Sequence, residues 1–238
     1  MVKKYGLASL MVAALGVTSA SASMILGFGV EADAYVPTTN GHFDYKGGGL
    51  DSKTTFDEKT QSTYQLGLYL EHPIPLVPNL RIDMTPDLSI EATGSNNGLS
   101  SRNKIDFKQY DITPYYEILD NLIDLDVGVT FKMIDAKVSS TTGTSVINDT
   151  AKITVPMGYI GVGLTIPMSN IRLQGDVKYV SFDGDHLTDA KAKIVMKTVA
   201  GLELQGGYRY EQLKITDRGG VTADLEIKGP FFGAGYSY

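Results

Sequence analysis

From Phe28 onward the chain alternates apolar and polar residues with a period of two, the repeat of a β-strand with one face in each environment. Phe28, Val30, Ala32, Ala34 and Val36 alternate with Gly29, Glu31, Asp33 and Tyr35, and Tyr64–Leu70 repeats the pattern. Leu80, Ile82, Met84, Leu88 and Ile90 form the apolar set of a third segment, and Tyr110–Ile118 a fourth. The fifth is the cleanest: Ile123, Leu125, Val127, Val129, Phe131 and Met133 against Asp124, Asp126, Gly128, Thr130 and Lys132. Five more follow, around Ile160–Ile166, Ile171–Tyr179, Ala190–Met196, Leu202–Tyr210 and Phe232–Tyr238. The pattern predicts ten strands of about 9–13 residues, long enough for a tilted strand to cross a bilayer. Pro86 and Pro114 interrupt two of them and mark bulges or an edge of the paired region.

The intervals alternate long and short. Pro37–Gln61, Thr93–Lys104, Ala136–Thr150, Asp183–Leu187 and Thr216–Val221 are the longer set; Pro73–Asn79, Leu119–Leu122, Pro167–Asn170 and Thr198–Val199 are the shorter. Outer-membrane barrels have long extracellular loops and short periplasmic turns, and an even strand number puts both termini on the periplasmic side. The first interval, with Gly47-Gly48-Gly49 among polar residues, reads as a mobile loop.

The N-terminus explains how such a chain leaves the cytoplasm. Lys3 and Lys4 precede the apolar stretch Gly6–Val17, and Ala20-Ser21-Ala22 supplies a small-x-small cleavage pattern. Residues 1–22 are expected to be a signal peptide and 23–238 the barrel. The full chain has 21 Lys+Arg against 27 Asp+Glu, so a basic nucleic-acid binder is excluded as a reading. Without cysteine there are no disulfides, thiol nucleophiles or Cys-ligated metals.

Alternation does not say which face is wet, since a soluble barrel would put its apolar face inside. The export signal and the unequal loops favour apolar-out. So does the terminus Gly233-Ala234-Gly235-Tyr236-Ser237-Tyr238, which is similar to the C-terminal signal of bacterial outer-membrane barrels, with Phe231 where a polar residue is usual. Gly233, Tyr236 and Tyr238 are the candidate assembly signal, and the barrel-assembly machinery and outer-membrane lipid the expected partners. Glu71–Asn79, Tyr115–Asn121, Asp189–Lys193, Gly207–Arg209 and Gly229-Pro230 carry a broader resemblance. They resemble the family of small proteobacterial outer-membrane β-barrel proteins of unassigned function. That resemblance implies a closed, all-β, antiparallel up-and-down transmembrane barrel in the outer membrane of a Gram-negative bacterium, and brings no catalytic residues. Outward tyrosines at 64, 110, 116, 179, 208, 210, 236 and 238 suit aromatic girdles.

With the apolar face outward, charges line the interior. Glu31, Asp33, Asp83, Asp87, Asp111, Glu117, Asp124 and Asp126 form the acidic set, joined by Glu71 and Glu91; Arg81, Lys132, Arg172, Lys178, Lys191, Lys193 and Arg209 form the basic set. Acids dominate strands one to five and bases strands seven and eight, so an acidic wall faces a basic wall. Either the walls pair into an ionic plug, or they bracket a narrow wet path. The small bore of a ten-stranded barrel favours the plug.

Three function classes follow: a structural or surface-interaction barrel, a small-solute channel, and a hydrolase near His186. The first is the expectation, with no enzyme activity, cofactor or metal, and an extracellular ligand that the sequence leaves open. The Asp183-Gly184-Asp185-His186 segment reads as a polar turn, and its two carboxylates are too few for a calcium site. No phosphate-binding loop or zinc spacing occurs.

Overall fold

The computed structural model describes residues 26–238. The signal-peptide reading of residues 1–22 therefore lies outside the described residues. The described residues form twelve strands: β1 (Gly27–Tyr35), β2 (Thr38–Gly47), β3 (Leu50–Thr60), β4 (Thr63–Glu71), β5 (Asn79–Asn96), β6 (Leu99–Asp120), β7 (Ile123–Thr142), β8 (Ser145–Thr165), β9 (Ile171–Phe182), β10 (Asp185–Lys197), β11 (Leu202–Arg218) and β12 (Val221–Ser237). They build a closed ten-strand wall, because β1 continues into β2 across Val36-Pro37 and β3 into β4 across Gln61-Ser62. Proline at the first junction cannot donate to the ladder, so the strand is interrupted there. The terminal strand closes the barrel on the first, with β12 pairing antiparallel to β1 from Gly29↔Ser237 to Tyr35↔Phe231 and to β2 from Thr38↔Lys228 to Tyr45↔Val221.

The strands are longer than the alternation predicted. β6, β7 and β8 run 22, 20 and 21 residues, twice what a bilayer needs. Three long intervals are correspondingly not loops. Pro37–Gln61 is mostly β2 and β3, turning at Gly48-Gly49; Thr93–Lys104 turns at Asn97-Gly98; Ala136–Thr150 turns around Gly143. Positive φ at these glycines supplies the tight turns.

Strand β7 shows why the extra length was hidden. Its even residues face inward throughout, yet their chemistry changes from Asp124, Asp126, Thr130 and Lys132 to Ile134, Ala136 and Val138. Its outward residues change in the opposite sense, from Val127, Val129, Phe131 and Met133 to Asp135, Lys137 and Ser139. The same exchange falls between Tyr110 and Lys108 on β6, Tyr210 and Gln212 on β11, and Pro230 and Lys228 on β12. Below this level the barrel is apolar outside and polar inside; above it the reverse holds. A wall in hydrocarbon and a wall in water require these two opposite arrangements.

Above the exchange level the interior closes as a hydrophobic core. Phe43, Phe56, Leu88, Ile90, Ile105, Phe107, Ile134, Val138, Leu213, Ile215, Val221 and Leu225 are buried in one cluster. Opposite walls meet directly: the Phe43 and Phe107 rings lie edge to face with centroids 5.7 Å apart, and the Tyr45 hydroxyl donates to Asp149 at 2.8 Å. The extracellular end is thus flattened like a β-sandwich.

One register irregularity bears on the interior. Pairing of β5 with β6 passes from Thr85↔Gln109 to Leu88↔Phe107, so one extra residue enters β5 at Pro86. This bulge reverses the faces of everything beyond it. Leu88 and Ile90, expected outside, are buried inside, whereas Asp87 and Glu91, expected to line the lumen, are exposed on the outer wall. Pro114 leaves its register unshifted, opposite Leu80.

Candidate functional site

Beneath the apolar core lies a layer of charges within the membrane belt. Lys132 is fully buried, with its ammonium 2.9 Å from Asp189, 3.2 Å from Asp111 and 3.3 Å from Glu211. Lys178 reaches across to Asp111 at 2.6 Å and Asp83 at 3.3 Å. Arg209 grips Asp189 through Nε and an Nη, at 2.9 and 2.7 Å. Slightly lower, Lys193 meets Glu31 at 2.6 Å, and Arg81 donates to Asp83 and Glu31. Lys191 lies 3.8 Å from Asp83 and sits over the Phe231 ring at 5.8 Å, which accounts for an aromatic residue on the inner face of the last strand. Asp33 accepts from the Gln205 amide at 2.6 Å.

This layer contains six carboxylates (Glu31, Asp33, Asp83, Asp111, Asp189, Glu211) and six cations (Arg81, Lys132, Lys178, Lys191, Lys193, Arg209). Balance is what burial demands, because an unpaired ion in a dry interior costs several kcal/mol. A gap bordered by Asp33, Gln65, Asp111 and Lys178 measures about 10 Å³, room for about one water. Neutral partners complete the network, with Gln109 donating to Glu211 and Thr113 and Thr130 sharing a bond. Gln109 and Gln205 were not singled out from the sequence; their inward parity was the available signal.

The remaining lumen residues lie lower, around a cavity of about 500 Å³ at the end of the barrel that carries the termini. Arg172 pairs with Asp124 at 2.5 Å, Glu117 accepts from the Asn79 amide at 3.0 Å, and Asp126 lines the cavity with no cation beside it. The acidic and basic residues therefore meet across the lumen in the upper layer, whereas the lower chamber pairs Arg172 with Asp124 and Lys197 with Glu203 and leaves an excess of carboxylates.

The exterior carries an apolar belt with tyrosines at both borders. Tyr64, Tyr110, Tyr179 and Tyr210 stand near the exchange level; Tyr116, Tyr236 and Tyr238 stand at the opposite end. Tyr236 and Tyr238 pack on Phe28, with centroids 5.9 and 6.0 Å away, and Tyr238 exchanges both backbone hydrogen bonds with Phe28. A Cβ at Gly233 would lie 2.1 Å from the Ala32 carbonyl oxygen, so the seam between first and last strands requires glycine there.

The histidines are dispersed. His72 is held within its turn, donating through Nε2 to Pro78 at 3.3 Å while Nδ1 accepts from the Ile74 amide. Asp185 and His186 are consecutive strand residues and so point to opposite faces. Asp185 is engaged by Arg218 at 2.5 Å and by the Thr216 amide at 2.9 Å. The Arg218 guanidinium beside it holds the Asp185 carboxyl below its ordinary range. Among the described residues no group of three or more His, Cys, Asp or Glu could hold a metal ion.

No protein-family model matches the chain, and neither does any curated protein. Among solved structures it is similar to the outer membrane protease OmpT from Escherichia coli, with a TM-score of 0.56, 9% identity, and 92% of this chain and 99% of that one covered. The translocator domain of the autotransporter NalP from Neisseria meningitidis gives a TM-score of 0.43 at 9% identity, covering 87% of this chain and 88% of that one. Ail of Yersinia pestis gives 0.41 at 9%, covering 89% and 99%. The likeness to OmpT is one of fold. The chain is an outer-membrane β-barrel in architecture, and its exterior has the belt and girdles that this location requires.

Proposed function

We propose that the protein is a sealed outer-membrane barrel of structural or surface-interaction type, without catalytic activity. The observation that carries this reading is the double closure of its interior: an apolar core above and a charge-balanced ionic layer beneath it. Ions crossing such a barrel would have to part both. The extracellular extension, water-facing outside and rigidly packed inside, is then the surface offered to partners. The last strand, with Gly233, Tyr236 and Tyr238, is the element offered to the assembly machinery. Neither a small-solute channel nor a hydrolase at His186 has a specific observation in its favour; Asp185 faces away from His186 and is already held by Arg218. Reconstitution in planar bilayers tests the reading: no unitary conductance steps are expected. A stable, reproducible conductance from the folded protein would overturn it in favour of transport.

A further inference from the structure

We infer that the chamber below the ionic layer is a binding site for a small organic polycation entering from the periplasmic side. The chamber of about 500 Å³ is the size of a small-molecule pocket. It opens where the short turns and both strand termini lie. Apart from Glu31, Arg81 and Lys193, which belong to the balanced layer above, its walls carry seven carboxylates against two cations, Arg172 and Lys197. Arg172 is taken by Asp124, and Lys197 lies 3.6 Å from Glu203. Among the described residues, Asp126 on β7, Asp176 on β9 and Glu71 on β4 have no cation within ion-pairing distance, and Glu71 accepts from the Tyr115 hydroxyl at 3.0 Å.

A second observation points into the same space. Tyr159 is 95% buried by its 5% exposure, yet its hydroxyl reaches the chamber and has no hydrogen-bond partner among the described residues. Glycine on β8 makes this room: a Cβ at Gly161 would lie 2.7 Å from the Tyr159 hydroxyl and 3.0 Å from Asp126 Oδ2. The rings of Tyr159 and Tyr115, 6.0 Å apart and tilted by 57°, both border the chamber and supply aromatic surface for a cation and its methylenes.

The spacing of the acids selects the ligand class. A divalent metal ion needs several oxygens converging at about 2–2.6 Å, and the described residues hold no such group. Carboxylates on separate strands instead suit an extended molecule with ammonium groups separated by carbon chains. The site stands whether or not the ionic layer above conducts.

Spermidine is the probe, titrated calorimetrically into the folded, full-length barrel in detergent micelles, with MgCl₂ at matched ionic strength as the comparison. Saturable spermidine binding is expected, weakened about tenfold or more in Asp126→Asn/Asp176→Asn and several-fold in Tyr159→Phe. Magnesium should give no saturable heat. Both variants should keep wild-type migration on unheated gels, since neither group has a cation partner to lose. Absence of saturable spermidine binding, equal affinity in the double variant, or equal binding of magnesium would each overturn the site. Conductance would not affect it.

Discussion

Lys132 offers the sharpest test of the ionic layer. Lys132→Met keeps most of the buried stem and removes the ammonium. Its three carboxylates are not equally exposed to the loss. Asp189 retains Arg209 at 2.7 Å and Asp111 retains Lys178 at 2.6 Å. Glu211 falls back on Arg209 at 3.7 Å and the Gln109 amide at 3.0 Å. Removing one partner of a buried pair costs roughly 3–5 kcal/mol; the retained partners place this case near the lower end, about 3 kcal/mol. With a urea slope of about 2 kcal/mol/M, the unfolding midpoint in lipid vesicles should fall by about 1.5 M. Lys132→Met/Glu211→Gln restores the charge balance and should recover much of the loss, giving a coupling of about 2 kcal/mol in the double-mutant cycle. An unchanged midpoint for Lys132→Met, or a double variant as unstable as the two single losses added together, would refute a paired, dry layer.

Four further outcomes are expected. Val127→Arg, on the lipid face between Tyr116 and Ile160, should cost roughly 2–4 kcal/mol in vesicle unfolding, while the adjacent inward Asp126→Asn should leave the midpoint nearly unchanged because no cation pairs with it. Phe43→Ala removes one ring of the edge-to-face pair in the upper core and should destabilise by roughly 3–5 kcal/mol, with faster amide exchange in β2 and β6. Deleting Tyr238 removes the last backbone bonds to Phe28 and one ring contact with it on the first strand, and should lower the yield of heat-modifiable barrel in outer-membrane fractions. The tie between Asp185, Arg218 and the Thr216 amide should be pH-dependent. Because the Asp185 carboxyl is held below its ordinary value, its contribution is present above pH about 4 and is lost as pH falls through the folded-state value. Protection of the Thr216 amide should drop on acidification in the wild type and be pH-independent in Asp185→Asn.

The period-two pattern is a local property of the chain, and it was enough to read ten wall-strands; the export signal, the unequal intervals and the C-terminal motif turned the apolar face outward and with it most of the charges inward. Each follows from side chains alternating across a strand and from hydrocarbon excluding charge. What alternation cannot carry is a change of environment at constant parity. On β7 the switch from Lys132 to Ile134 inside, and from Met133 to Asp135 outside, keeps the period but exchanges the chemistry, so the wall above the membrane looked like a loop. Nor does alternation survive an inserted residue: the bulge at Pro86 turned Asp87 out and Leu88 in, although the proline itself was visible as a break. Whether opposite charges meet depends on strand order, register and the shape of the closed wall. Lys178 reaches Asp111 across the bore, whereas Asp126, equally acidic and equally inward in the sequence, sits where the lumen widens over Gly161 and meets no cation. Distances between residues far apart in the chain are set by closure of the sheet, and closure is a property of the whole barrel.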